Sequence, residues 1–270
     1  MAGLTAYRDT VGIVTGASSG IGAQLARDLA ARGMRVALLA RRGDRLQALA
    51  DAIGRAGGEA LAVPCDVAER TQVESAVATV LARWGQVDLL VNNAGFGRHV
   101  LFKDHDVADI ERMVRTNVLG VVYTTKAVLP AMRARRRGWI VNLSSVAGKL
   151  GQPDEAAYSG TKFAVAGLSE GLSYEFAPLG IHVMLVYPAL VRTEMFTPEV
   201  LARMPPGSAR SFLEPPEFSR RVLRALERGR YEVTVPRYIG IAYVIRQLLP
   251  SFYRRMTARL RLPVLPDLTR

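Results

Sequence analysis

An α/β fold is what this sequence predicts: one doubly wound parallel sheet of about seven strands, helices on both faces, and a C-terminal helical extension. Three observations carry that expectation. Short apolar runs of β character alternate with helical patterns from residue 11 to residue 235, and such alternation feeds parallel strands through crossover helices. A glycine cluster, Gly16-Ala-Ser-Ser-Gly-Ile-Gly22, separates the first run from the first helical pattern. The chain has 270 residues, 49% of them hydrophobic, enough for one large domain with a sizeable core.

Val11-Gly-Ile-Val-Thr15 reads as the first strand, and a helix follows through Leu25, Leu29 and Ala30. A strand, a glycine-rich turn and a helix together begin a dinucleotide-binding unit. The glycines let backbone approach a pyrophosphate, and the helix N-terminus offers free N–H groups. The spacing is Gly-x-x-x-Gly-x-Gly, so a generic tight turn stays open as the plainer reading. Arg35-Val-Ala-Leu-Leu-Ala40 is the second strand. Its carboxyl end usually carries an acid where the ribose 2′-hydroxyl of NAD is bound. Here Ala40 is followed by Arg41 and Arg42. Guanidinium groups pair well with a 2′-phosphate, so NADP is expected in preference to NAD, unless the two arginines only border a surface loop.

A helix through Leu46, Leu49 and Ile53 ends at Gly57-Gly58. Ala60 to Pro64 is the third strand, running into Cys65, Asp66 and Val67, at a strand end where ligands gather in such sheets. Another helix runs to Trp84-Gly85, and Val87 to Val91 is the fourth strand, closed by Asn92-Asn-Ala-Gly95. Asp104 to Arg133 reads as one long helix with Ile110, Met113, Val114, Val118 and Val122 inward and Asn117 within it. The arginines at its end complement the helix dipole. Trp139 to Leu143 is the fifth strand, closed by Ser144-Ser145.

The next helix opens with Ala156-Ala-Tyr-Ser-Gly-Thr-Lys-Phe163. Its Tyr158 and Lys162 lie one turn apart on one face. An ammonium beside a phenol favours phenolate and would tune the tyrosine for proton transfer. That spacing alone arises often by chance, and becomes a site only with a reaction partner.

Those partners are present. Thr15-Gly-Ala-Ser-Ser-Gly-Ile-Gly22, Asn92-Asn-Ala-Gly95, Asn142-Leu-Ser-Ser145 and Tyr158-Ser-Gly-Thr-Lys162 occur in one order and spacing. On these motifs the chain resembles the short-chain dehydrogenase/reductase family over roughly residues 8 to 235. The resemblance implies a Rossmann-type sheet and hydride transfer between a nicotinamide cofactor and a carbonyl or alcohol. It implies that Tyr158 is the proton donor, that Ser145 holds the substrate oxygen, and that Lys162 orients the cofactor ribose and tunes Tyr158. Asn117 would hold a water in the proton relay. Cofactor contacts would come from Gly16, Ser18, Ser19, Gly20, Ile21 and Gly22 in the first turn, and from Arg41 and Arg42 after the second strand. Asp66, Val67, Asn93, Ala94 and Gly95 would also bind the cofactor, while Pro188, Val191 and Thr193 would hold the nicotinamide beside Tyr158 and Lys162. Where the family usually has Pro-Gly, this chain has Pro188-Ala189. No metal is called for. A homodimer or homotetramer is implied through the helices around Asn117 and after Tyr158. A non-catalytic NADP-binding regulator, or a membrane-surface scaffold, on the same fold is the alternative.

Ile181 to Tyr187 is the sixth strand, a helix spans Glu217 to Arg228, and Tyr231 to Val235 is the last strand. Between them, residues 194 to 216 hold five prolines and read as a mobile lid, with Met195, Phe196, Met204, Phe212 and Leu213 over the substrate. With Phe96, Leu150 and Leu190 these predict a mostly apolar substrate. Residues 1 to 236 thus form the NADP-binding and catalytic domain. Residues 237 to 270 form a tail of two short helices broken by Pro250, with seven arginines, no lysine and one aspartate, net +6 of the whole chain's +12. It fits an anionic membrane surface, a partner, or packing on its own domain or across a dimer; these readings stay open. It is too short and charged to span a bilayer.

The pI near 10.4 permits several anionic partners. Nucleic acid is not expected, because no binding module accompanies the arginines. A single cysteine, Cys65, excludes an intrachain disulfide and reads as a buried small hydrophobe. With no basic-then-apolar leader pattern at the N-terminus, a cytoplasmic protein is expected, peripheral at a membrane if the tail is interfacial.

Overall fold

In a computed structural model, residues 3–202, 204 and 208–261 are described, except for the side chains at 209, 210, 260 and 261. Seven strands form one parallel sheet: β1 (Val11–Thr15), β2 (Arg35–Ala40), β3 (Glu59–Pro64), β4 (Leu89–Asn92), β5 (Gly138–Leu143), β6 (Ile181–Pro188) and β7 (Glu232–Val235). Their order is β3-β2-β1-β4-β5-β6-β7, every pairing parallel. The chain runs outward one way from β1 and then the other way from β4. A crevice opens between the carboxyl ends of those two strands, where such sheets bind ligands.

Strand residues alternate between two cores, as the period of two demands. Val36 and Leu38 face one core, shared with α1 (Gly20–Ala31), α2 (Gly43–Arg55) and the later helix Pro215–Glu227. Ala37 and Leu39 face the other, filled by Val73 and Val80 of α3 (Arg70–Trp84), Val128 and Met132 of the helix Gly120–Ala134, and Phe176. Buried on both faces, the central strands read as continuous apolar runs, which is why they stand out in the sequence. Cys65 is buried in the second core, and burial pushes its thiol up to about 11, so it packs as an inert small hydrophobe.

The long helix expected from Asp104 to Arg133 is two helices, α4 (Val107–Val114) and α5 (Gly120–Ala134), joined by a wide π turn at Arg115–Leu119. Asp106 caps α4 by accepting from the Ala108 N–H. The inward stripe along these elements is Met113, Asn117, Val121, Thr124 and Val128. Val114, expected inward, is exposed, and Ile110, Val118 and Val122 are only half-buried. A stripe drawn through apolar residues alone is out of phase, because the true one includes polar residues whose hydrogen bonds allow burial.

The rest of the chain is α6 (Ala156–Phe176), the short α7 (Pro198–Ala202), α8 (Pro215–Glu227), α9 (Gly240–Leu248) and α10 (Pro250–Arg261). The C-terminal extension is therefore helical, broken at Pro250 as expected. Residues 203, 205–207 and 262–270, parts of the expected lid and tail, lie outside the described residues.

Candidate active site

The crevice holds a cavity of about 830 Å³. One side is the first turn. Gly16 has φ +65° and Gly20 φ +56°, conformations natural to glycine. A Cβ on Gly22 would lie 2.4 Å from the Gly16 carbonyl oxygen, so the helix packs this close to the turn only without a side chain. Thr15 and Asn93 lock the turn to the end of β4. The Thr15 hydroxyl accepts from the Asn93 and Ala94 N–H groups, each at 3.0 Å, and the Asn93 amide donates to the Thr15 carbonyl at 2.9 Å. Ser19 makes no side-chain cap, so the first N–H groups of α1 open on to the cavity that Ser19, Gly20 and Ile21 line. Backbone donors at a helix start beside such glycines fit the pyrophosphate of a dinucleotide.

The other side is formed by Ser145, Tyr158 and Lys162. Ser145 and Tyr158 line this wall of the cavity together, and Ser145 caps the turn after β5 by accepting from the Ala147 N–H at 3.1 Å. Lys162 is buried; its Nζ donates to the Leu143 carbonyl at 3.0 Å and lies 5.7 Å from the centre of the Tyr158 ring. Ser144, buried below, donates to the Lys162 carbonyl at 2.8 Å and so fixes that turn of α6. Gly97 lies against the Tyr158 ring, where a Cβ would come within 2.9 Å of it.

Asn117 holds the loop that carries these groups. Its Oδ1 accepts from the Phe96 N–H at 3.0 Å, and its Nδ2 donates to the Phe96 carbonyl at 2.8 Å and to the Thr161 hydroxyl at 3.0 Å. Gly95 sits between Asn117 and Lys162, with both side chains within 3.4 Å of where its Cβ would stand. A buried polar chain continues beneath, from Thr124 to Asn92, Asn142 and Ser169.

The electrostatics correct one expectation, that Lys162 lowers the pKa of Tyr158. In the protein alone burial raises it, and the Glu155 carboxylate beside it raises it further; the nearby Ser145 hydroxyl opposes both. Burial also pushes the Lys162 ammonium down to about 8. Burial is the largest cause, and the Lys162 ammonium stands 5.7 Å from the ring centre.

Of the residues singled out from sequence, Gly16, Ser19, Gly20, Ile21, Asn93, Ala94, Gly95, Ser145, Tyr158, Lys162, Pro188, Val191 and Thr193 share the cavity's lining. Ser18, Gly22, Arg41, Arg42, Asp66, Val67 and Asn117 stand outside that lining. Asp66 turns inward on its own loop, accepting from the Ala68 N–H at 3.0 Å. Arg42 reaches over the turn, donating to Ser18 and Ser19 at 2.9 Å each. Ala189 has no positive φ, so its Cβ is accommodated where the family usually has glycine. Leu190, Met195, Phe196 and Met204 line the cavity as expected, whereas Leu150, Phe212 and Leu213 do not. Leu150 is buried, and Phe212 stacks edge-on against Phe196 at 4.8 Å.

Sequence reading missed four contributors. Glu155 lines the cavity, with His99 Nδ1 3.1 Å from its carboxylate. Glu194 binds Arg42 at 3.1 Å and Arg45 at 2.5 Å. Gly97, two residues past the Asn-Asn-Ala-Gly motif, was within reach of a sequence argument. The fourth is the tail, from which Ile239, Ala242, Tyr253, Met256 and Thr257 line the cavity.

Comparisons with known proteins agree with this geometry. The short chain dehydrogenase family model matches residues 10–203. A 3-oxoacyl-[acyl-carrier-protein] reductase of Synechocystis sp. is 38% identical over 193 residues, 71% of this chain and 78% of that protein. A short-chain dehydrogenase/reductase of Burkholderia phymatum, solved in complex with NAD, has a TM-score of 0.83 at 25% identity, over 92% of this chain and 96% of that one. A metagenomic short-chain oxidoreductase, solved in complex with NADP, has a TM-score of 0.73 at 32% identity, over 85% and 97%. The chain belongs to the short-chain dehydrogenase family. It is accordingly an oxidoreductase that acts on carbonyl or alcohol groups with a nicotinamide cofactor.

Proposed function

We propose that the protein is an NADP(H)-linked carbonyl reductase or secondary-alcohol dehydrogenase for a mostly apolar substrate, with Tyr158 as general acid and base. The observation that carries this reading is the convergence of Ser145, Tyr158 and buried Lys162 on one wall of the cavity, opposite the glycine turn. When bound, the nicotinamide supplies or takes up the hydride. Ser145 holds the substrate oxygen within reach of the phenol, and Tyr158 donates the proton that the oxygen gains on reduction. Lys162 supplies positive charge to the phenolate left behind, and Asn117 lies on the path of its reprotonation. Tyr158 has a raised pKa in the protein alone, so it begins as the protonated acid, the form that carbonyl reduction needs.

The preference for NADP rests on Arg41 and Arg42, with Arg45 as a third guanidinium, and on the lack of an acid at Ala40. Leu190, Met195, Phe196, Met204 and Met256 support an apolar substrate. A homodimer or homotetramer is supported by the open face of α6. There Gly160, Gly167 and Gly171 have nothing within 4 Å of where a Cβ would stand, and Tyr174 is exposed. The buried, lone Cys65 suits a cytoplasmic protein.

Tyr158→Phe tests the assignment. Turnover of ketone with NADPH should fall by roughly a thousandfold or more while NADPH still binds. Retained turnover sinks the proton-donor role, and lost NADPH binding in a folded variant would show the phenol to be a binding group instead.

A further inference from the structure

The two C-terminal helices face two ways. Inward, Tyr253, Met256 and Thr257 of α10, spaced three and four apart, line the substrate cavity with Ile239 and Ala242. Tyr243 packs edge-on against Tyr187, with ring centres 6.3 Å apart, and Arg246 donates to the Lys149 carbonyl at 2.7 Å, so α9 is fastened to the domain. Outward, Ile241, Val244, Leu248, Leu249 and Phe252 are 50 to 71% exposed. On α9 Ile241, Val244 and Leu248 recur three and four apart on one face, Leu249 and Phe252 follow around Pro250, and Tyr238 is exposed before them. Single exposed apolar residues are ordinary, but a run of this kind marks an interaction surface.

The charge around the stripe decides what covers it. Residues 237 to 261 contain six arginines and no acidic residue. Among the described residues no ion pair involves Arg237, Arg254, Arg255 or Arg259. A second copy docked symmetrically here would set two such cationic faces against each other. Nucleic acid would satisfy the arginines and leave the apolar stripe in water. An anionic lipid surface satisfies both. Among the described residues no helix is long and apolar enough to cross a membrane, so the arm can lie on a bilayer and not through it.

We propose that α9 and α10 form a lipid-facing wall of the substrate site. Their outer stripe beds in the headgroup region of an anionic bilayer, and an apolar carbonyl substrate passes from the bilayer into the cavity past Tyr253 and Met256. The delivery half of this proposal rests on the carbonyl-reductase reading; the docking half does not.

Flotation of the full chain with vesicles of equal parts phosphatidylglycerol and phosphatidylcholine tests it, against phosphatidylcholine alone. The wild type should float with the mixed vesicles, less so in high salt, and not with phosphatidylcholine. Ile241→Glu combined with Leu248→Glu should weaken that binding roughly tenfold or more, as should Arg254→Gln with Arg255→Gln, while NADPH binding shows both variants folded. Turnover of a long-chain methyl ketone carried in the vesicles should fall in parallel, with turnover of a short water-soluble ketone unchanged. Absence of flotation by the wild type, or wild-type flotation by the Glu variant, overturns the docking. So does a variant that changes the oligomeric mass and not the vesicle binding, which would make the stripe a protein interface. Flotation without turnover of either ketone leaves the docking standing and removes carbonyl reduction, and the delivery half with it.

Discussion

Arg42 Nη1 lies 3.1 Å from a carboxylate oxygen of Glu194, a residue 152 positions away at the start of the segment over the substrate cavity. The same guanidinium bonds Ser18 and Ser19, beside the glycine turn. Arg45, then Arg42, hold the Glu194 carboxyl below its ordinary pKa, so the pair is charged on both sides at neutral pH. Its stabilisation is present above the ordinary carboxylate range and is lost as pH falls through the depressed folded value. In this arrangement Glu194 takes up the guanidinium that a 2′-phosphate would need.

Glu194→Gln should therefore tighten NADPH. The pair is exposed and worth up to about 1 kcal/mol, so the gain should be roughly threefold to fivefold in Kd, with NADH unchanged. Fluorescence titration of both cofactors measures it. Equal tightening of NADPH and NADH would place Glu194 elsewhere than in competition for Arg42.

Replacing Arg41 and Arg42 together by Ala should act in the opposite direction. Losing charge-assisted contacts to a phosphate should weaken NADPH roughly tenfold or more and leave NADH within about threefold. Equal losses on both cofactors would refute the phosphate contact and return the arginines to a structural role at the turn.

Gly97→Ala probes the seat of the phenol. The added Cβ would come within 2.9 to 3.3 Å of three Tyr158 ring atoms, so the ring must shift. We expect kcat to fall by roughly tenfold or more through misplacement of the proton donor, with little change in NADPH affinity. A variant with wild-type kcat would show that the ring position tolerates this displacement.

Lys162 predicts a pH dependence of stability. Burial lowers its pKa to about 8 from an ordinary 10.5. Between those values the unfolded chain binds the proton and the folded chain does not, so stability rises with pH across that window. Below about pH 8 the full cost of burying the ammonium is present, on the order of 3 kcal/mol. Urea denaturation of the wild type and Lys162→Met from pH 7 to pH 10 isolates it. The wild type should gain on the variant as pH rises, and parallel curves would mean that Lys162 keeps its proton throughout.

Much of the site was legible because its signals are local. Gly16, Gly20 and Gly22 answer to backbone geometry within one turn, and Tyr158 and Lys162 to one turn of helix. The buried strands announced themselves as unbroken apolar runs. The phase of α4 and α5 was not legible, because the partners that let Asn117, Thr124 and Thr125 be buried include Asn92, Phe96 and Thr161, far along the chain. Glu155 and Glu194 carried no pattern of their own; each matters through what stands opposite it.

The order of strands and helices, the glycine turn and the pairing of Ser145, Tyr158 and Lys162 in one family pattern can all be read from the linear chain. They follow from periodicity, turn chemistry and short spacing, which a string of residues displays. Folding in three dimensions was needed to establish that burial and Glu155 raise the Tyr158 pKa, and that Arg42 is held by Glu194. It was needed equally to place the basic tail as one wall of the cavity, with an apolar stripe outside. Those are matters of desolvation and of long-range juxtaposition, and both are set by what packs around a residue from every side.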